Sequence, residues 1–248
     1  MQMVKTDEGF VPITDYKEFR KQYDYGDPNY SIYYKFFKRP ISYPLTWLVY
    51  RYTNLRPNAL SYIGFFFAIL STIFFWQGTA TFFLLGAISF FIYDIFDDFD
   101  GVIARSKNIR SRRGGWLDIL AGCVGKMMVL ASVSIGMFKA TGNEFMLLLG
   151  LIGVVGMAAV NNLDHVTKIR FSVVVQKKLK FIETKPDSKT LAGKLSILSD
   201  ILLNAWFILL ILAGLFDYLE IFLLYSAGYY AIYPILLFFY LNRKYKDA

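Results

Sequence analysis

Cysteine is almost absent from this sequence, in which Cys123 is the only one. A single thiol excludes an internal disulfide and any cysteine-based metal cluster, so the sequence gives no sign of an oxidising compartment. Residues 1–14 contain Asp7 and Glu8 and lack a hydrophobic core, so we expect no signal peptide. The two halves of the chain also show no internal repeat of the kind that many transporters contain.

Hydrophobic residues, by contrast, are abundant. They make up 56% of the 248 residues, and aromatic residues make up 19%, which is too apolar for an ordinary soluble domain. This composition predicts an all-α, polytopic integral membrane protein. The formal net charge of +8 could indicate nucleic-acid binding, but in so apolar a chain it favours basic loops beside anionic lipid headgroups. We therefore expect membrane lipids, and no nucleic acid, among the partners.

Long apolar runs predict six transmembrane helices, because about 20 apolar residues are needed to cross a bilayer. The predicted spans are 59–76, 81–104, 116–138, 145–163, 196–216 and 219–241. Aromatic and basic residues are mixed over 30–55, which predicts an interfacial amphipathic helix. The predicted organisation is a cytoplasmic N-terminal segment with that helix (1–55), a six-helix membrane domain (56–242) and a cytoplasmic tail (243–248).

Basic residues in the connections predict the orientation of the chain. Lys and Arg are frequent after the second, fourth and sixth predicted spans, whereas the other three connections contain only Lys139. By the positive-inside rule, both termini and the two long connections are expected on the cytoplasmic side of the membrane.

A group of aspartates lies at the predicted cytoplasmic ends of the second and third spans. Asp97, Asp100, Gly101 and Ala104 have helical spacing, so two carboxylates and two small residues share one helix face. Asp118 begins the next apolar segment and could meet this face if the two helices pack antiparallel. Carboxylates are costly beside apolar spans unless a cation compensates them. Three oxygen donors suit a hard cation such as Mg²⁺ or Mn²⁺.

These residues belong to a longer pattern, Asp-x2-Asp-Gly-x2-Ala-Arg-x8-Gly-x3-Asp-x3-Asp. Seven positions match it in identity and spacing, namely Asp97, Asp100, Gly101, Ala104, Arg105, Gly114 and Asp118. The pattern resembles the signature of the CDP-alcohol phosphotransferase family. Residues 56–64 also resemble the Pro-Asn segment that begins the family's first span, so the resemblance covers about residues 38–242.

The resemblance implies transfer of a substituted phosphate from a CDP-alcohol donor to a small-alcohol or lipid acceptor. CMP would be released, and the reaction would belong to phospholipid or polyol-phosphate biosynthesis. The resemblance implies that Asp97, Asp100 and Asp118 are catalytic and hold Mg²⁺ or Mn²⁺. It also implies that the active site is cytoplasmic and that a homodimer is one option. The residues that it places at the nucleotide are Asp100, Gly101, Ala104, Arg105 and Gly114.

The chain departs from the pattern at its last position, where Gly122 stands in place of an aspartate. The resemblance assigns that carboxylate to the second metal ion and to the general base. An active enzyme could complete the second ion with water, with substrate, with Asp98, or with Asp94, which extends the carboxylate face by one turn. The chain could instead be a non-catalytic relative that binds nucleotide or lipid, or carry a disabling substitution.

Lys126 lies one turn beyond Gly122 and could supply the positive charge of a second ion. It could equally pair with an aspartate inside the bundle. A transporter is a further alternative for acidic residues within a membrane bundle, but a transporter would have no reason to keep the phosphotransferase pattern in register.

Overall fold

The computed structural model describes residues 3–6, 9–12, 15–23, 36, 38–107, 109, 111–175 and 191–244. Two short strands, β1 (Met3–Thr6) and β2 (Gly9–Pro12), form an antiparallel hairpin that the sequence analysis does not predict. The other described elements are the helices α1 (Tyr16–Tyr23), α2 (Arg39–Tyr52), α3 (Pro57–Gln77), α4 (Ala80–Ser106), α5 (Arg112–Thr141), α6 (Phe145–Val175), α7 (Leu191–Phe216) and α8 (Leu219–Lys244). Beyond the hairpin, the described fold is therefore helical, as predicted.

In the described part of the chain, five helices are long and apolar enough to cross a membrane, and they indicate an integral membrane protein. These are α3, α4, α5, the first part of α6 (Phe145–Leu163) and most of α8 (Leu219–Asn242). They correspond to five of the six predicted spans. The remaining span falls on α7, whose described apolar stretch, Ala205–Phe216, is shorter than a membrane crossing. Six spans and the cytoplasmic orientation therefore stay predictions.

Helix α2 occupies the second half of the predicted interfacial segment. It begins after Lys38 and has Pro40 in its first turn, where the missing N–H of proline is tolerated. The helix packs against α4. Its buried side chains are Ser42, Tyr43 and Thr46. Its exposed apolar side chains include Ile41, Leu45 and Leu48. Residues 24–35 lie outside the described part of the chain, and the interfacial location of α2 stays a prediction.

Tight turns bring three helix ends to the same end of the bundle. Gly78 ends α3 and Gly142 ends α5, each with a positive φ (76° and 68°) that a residue with a side chain rarely adopts. The turn at Gly78 reverses the chain, so α4 runs back along α3, and the turn at Gly142 leads in the same way from α5 to α6. Helix α3 packs against both α4 and α5. As a result, the start of α3, the end of α4 and the start of α5 lie together.

Aromatic side chains hold the centre of the bundle. The indole ring of Trp206 in α7 packs edge-on against Phe90 of α4 and Phe222 of α8, with ring centroids 5.6 and 5.2 Å apart. All three side chains are buried. Because α4 is fixed here by packing from two other helices, its last turns are held in place at the end of the bundle.

Candidate active site

A cavity of about 330 Å³ opens where α3 begins, α4 ends and α5 begins. It is lined by Pro57, Asn58 and Ser61 of α3, by Asp100, Gly101, Ala104 and Arg105 of α4, by Ile109 and Ser111 of the α4–α5 connection, and by Gly114, Gly115 and Asp118 of α5. Six of the seven matched pattern residues are therefore in its wall, and Asp97 is the exception. Asp100 of the predicted α4 carboxylate face and Asp118 of α5 thus line the same cavity.

The glycines of the pattern are explained by crowding around the cavity. A Cβ atom at Gly114 would lie 3.0 Å from Asn58 Oδ1 and 3.0 Å from Ser111 Oγ. Ser111 is the N-cap of α5, and its hydroxyl accepts a hydrogen bond of 2.9 Å from the Gly114 N–H. A Cβ at Gly101 would approach the Arg105 guanidinium to 3.2 Å. A side chain at either glycine would therefore take up space that a ligand could use.

Ser61 holds Asp100 in a defined orientation. The Ser61 hydroxyl, on the second turn of α3, donates a hydrogen bond to Asp100 Oδ2. Both residues are buried. One oxygen of the Asp100 carboxylate thus accepts a hydrogen bond from an uncharged donor. This bond does not neutralise the carboxylate, which can still bind a cation or a positively charged group.

The three predicted ligand carboxylates lie near one another. Asp118 is close enough to Asp97 and to Asp100 for their charges to interact. The salt bridges among the described residues are made by Asp94 and Asp98, and none involves these three carboxylates. Hard oxygen donors with mutually repelling charges fit a divalent cation. However, in the described part of the chain no three such side chains are gathered into a ligand set, so the metal site stays a proposal.

Two other carboxylates of α4 face a lysine instead of the cavity. Lys38 Nζ lies 3.1 Å from Asp94 Oδ1 and 3.1 Å from Asp98 Oδ1. Burial by itself would lower the pKa of Lys38, but the charges of Asp94 and Asp98 raise that pKa well above its ordinary value. Asp94 was expected to extend the face of Asp97 and Asp100. The structure instead pairs it with Lys38, which precedes α2 and reaches α4 where the two helices pack together.

Gly122 faces open space. A Cβ atom there would meet no heavy atom within 4 Å, although Tyr93 of α4 lies nearby and its hydroxyl donates to the Ala121 carbonyl at 3.4 Å. Lys126 Nζ lies 5.0 Å from the centroid of the Phe207 ring, and its charge acts on Asp118. Among the described salt bridges, none joins Lys126 to an aspartate. Of the two predicted roles for Lys126, the aspartate pair is therefore not observed.

Several residues near the site were not singled out by sequence reasoning. Asn58 and Ser61 had a signal, because they belong to the Pro-Asn segment that begins the first span. Lys38 had none, because 56 positions separate it from Asp94 and it resembled any other basic residue of an interfacial helix. Its contact with α4 depends on how α2 packs, which no local pattern encodes.

A helical membrane bundle with aspartates and glycines around a cavity at its helix ends fits a transferase of phosphate-containing groups. The model of the CDP-alcohol phosphatidyltransferase family matches residues 54–225, which is more than half of the chain. The chain therefore belongs to this family. The family consists of transferases that act on CDP-alcohols and that generally depend on a divalent metal ion. No curated protein matches the chain.

Proposed function

We propose that this protein transfers a substituted phosphate from a CDP-alcohol to an acceptor alcohol or lipid and releases CMP. The reaction would take place at the cytoplasmic side of a membrane, in phospholipid or polyol-phosphate synthesis. The observation that carries this proposal is the cavity itself, because six of the seven matched pattern residues line it. The seventh, Asp97, is close enough to Asp118 in the cavity wall for their charges to interact. A random acidic patch would not place the pattern's glycines and aspartates around one space.

Each residue has a role that follows from its chemistry. Asp97, Asp100 and Asp118 would hold Mg²⁺ or Mn²⁺, and Ser61 would keep Asp100 oriented. A bound divalent ion would neutralise diphosphate oxygens and stabilise the departing CMP. Arg105 would donate to phosphate oxygens from its planar guanidinium group. Gly101, Gly114 and Ala104 would leave space for the nucleotide against the helix ends.

In the transfer, the acceptor oxygen forms a bond to the phosphorus that carries the alcohol, and the bond from that phosphorus to the CMP oxygen breaks. CMP leaves with the electron pair of that bond, and the acceptor hydroxyl gives up a proton. The family pattern would supply a carboxylate for this proton at the position of Gly122. Because Gly122 cannot accept a proton, water in the open space beside it is the proposed acceptor.

Gly122 also favours a second candidate function, in which the protein binds a cytidine nucleotide or lipid without turning it over. The two candidates share the ion and nucleotide site and differ only in chemistry. A binding measurement therefore tests the site, and release of CMP from a CDP-alcohol distinguishes the two.

The binding test uses detergent-solubilised full-length protein. We expect Mn²⁺ together with CMP or CDP to raise the unfolding temperature, and Asp118→Ala to remove this shift by deleting a central carboxylate. Glu220→Ala is the matched control, since Glu220 is an exposed acidic residue outside the cavity. Absence of a shift with every cytidine nucleotide in the wild-type protein would refute the proposed site. CMP release from CDP-diacylglycerol or a CDP-polyol would then establish the reaction.

A further inference from the structure

Lys38 reaches α4 from outside the part of the chain that matches the family model, which begins at residue 54. The residue is only 6% exposed, although it precedes α2 near the N-terminal end of the described bundle. Its ammonium group contacts Asp94 and Asp98 at equal distances of 3.1 Å. These two carboxylates flank Asp97, so a residue from outside the matched region acts on the helix segment that carries the proposed ligands.

The electrostatic cost of removing Lys38 would be high. Asp94 is 1% exposed, and Asp98 Oδ2 is buried without a hydrogen-bond partner in the described structure. Two buried carboxylates without a cation would repel each other and would be poorly solvated. They would then be free to compete with Asp100 and Asp118 for a divalent ion that approaches Asp97. A lysine that is already bound to both removes this competition.

The same N-terminal segment makes a second contact with α4. The Phe19 ring of α1 is fully buried and packs with Val102 of α4. Its centroid lies 5.2 Å from that of Trp47 and 5.1 Å from that of Tyr50, both on α2. The N-terminal segment thus contacts α4 through Lys38 at Asp94 and Asp98, on either side of Asp97, and through Phe19 at Val102, one turn beyond Asp98.

We propose that Lys38 is a positioning residue that neutralises Asp94 and Asp98 and thereby leaves Asp97 and Asp100 as the carboxylates of α4 that bind the ion. This inference rests on the proposed function, because it presupposes that the ion and nucleotide site exists. Lys38 itself contacts neither ion nor substrate. Its effect is transmitted through the position and the charge of α4.

The experiment measures Mn²⁺-dependent CMP binding by calorimetry on the full-length protein in detergent. We expect Lys38→Met to raise the Mn²⁺ concentration needed for binding by about 10- to 100-fold, as for other residues that support metal ligands. Lys38→Arg keeps the positive charge and should restore most of the affinity. Lys107→Met is the matched control, because Lys107 Nζ donates to the Thr53 and Leu55 carbonyls and so also ties α4 to the chain near α2. It should leave the Mn²⁺ requirement unchanged.

A triple variant, Lys38→Met with Asp94→Asn and Asp98→Asn, keeps the inference testable if Lys38→Met alone unfolds. It removes the buried charges together, so we expect its unfolding temperature in EDTA and its Mn²⁺ requirement to return close to the wild-type values. An unchanged Mn²⁺ requirement in a folded Lys38→Met variant would overturn the inference, as would a triple variant no better than Lys38→Met. Failure of the wild-type protein to bind CMP with Mn²⁺ would overturn the proposed function and, with it, the role given to Lys38. The wild-type measurement thus separates the two failures.

Discussion

Helix α4 carries two sets of carboxylates that alternate along one short segment yet have different surroundings. Asp94 and Asp98 are bound by the ammonium group of Lys38, whereas Asp100 faces a cavity and receives a hydrogen bond from Ser61. Asp97 belongs with Asp100 to the second set, and its charge interacts with that of Asp118. Within one short helix segment, therefore, a buried lysine forms ion pairs with one set of carboxylates and not with the other.

The largest expected effect comes from replacing neighbouring aspartates of the two sets. Asp97→Asn should abolish Mn²⁺-dependent CMP binding, because an amide carries no charge and is a weaker ligand for a hard cation, and a loss of more than about 100-fold is expected. Asp98→Asn changes the adjacent residue in the same way. It should keep binding within a few-fold of the wild type, because Asp98 is bound to Lys38.

Calorimetric titration with CMP at fixed Mn²⁺ checks both variants under identical conditions. Equal losses of CMP affinity in the two variants would contradict the division into two sets, because Asp97 and Asp98 would then contribute equally to binding. Retained binding in Asp97→Asn would remove Asp97 from the proposed ligands.

A second prediction concerns the position where the pattern is broken. Gly122→Asp should raise the rate of CMP release by up to about 10²–10⁴-fold, the usual contribution of a general base. The new side chain has room, because a Cβ at Gly122 meets no heavy atom within 4 Å. Gly122→Asn is the matched control, since it has nearly the same shape but cannot accept the proton. The initial rate of CMP release from a CDP-alcohol is the measurement.

Equal rates in the Asp and Asn variants would contradict the hypothesis that an aspartate at position 122 acts as a general base. If Gly122→Asp bound Mn²⁺ more strongly but released CMP no faster, the carboxylate expected at position 122 would be a ligand of the second ion and not a general base.

Much of the site could be predicted from the sequence, because its residues lie close together along the chain. Helical spacing places Asp100, Gly101 and Ala104 on one face, and the structure puts all three in the cavity wall. The apolar runs predict six spans, and in the described part of the chain five of them correspond to helices long and apolar enough to cross a membrane. Such features depend on local periodicity and length, which a sequence displays directly.

The division of the aspartates into two sets could not be predicted in this way. It depends on Lys38, which is brought to α4 by the packing of Phe19 and α2 around Val102. Asp94 was expected on the ligand face because its spacing from Asp97 allows it, and spacing alone cannot reveal a competing cation from a distant segment. The hairpin formed by β1 and β2 was missed as well.

The smallest effect is expected from replacing Ser61, the uncharged residue that donates a hydrogen bond to Asp100. Ser61→Ala removes the hydrogen bond to Asp100 and should weaken Mn²⁺-dependent CMP binding about tenfold, since a hydrogen bond to a charged group contributes about 1.5–3 kcal/mol. Ser71→Ala is the control on the same helix, because the buried Ser71 hydroxyl donates to the Gly86 carbonyl at 2.8 Å. It should lower the unfolding temperature and leave binding unchanged. If both variants weakened binding equally, Ser61 would act through general stability, and the orientation of Asp100 would not depend on its hydroxyl.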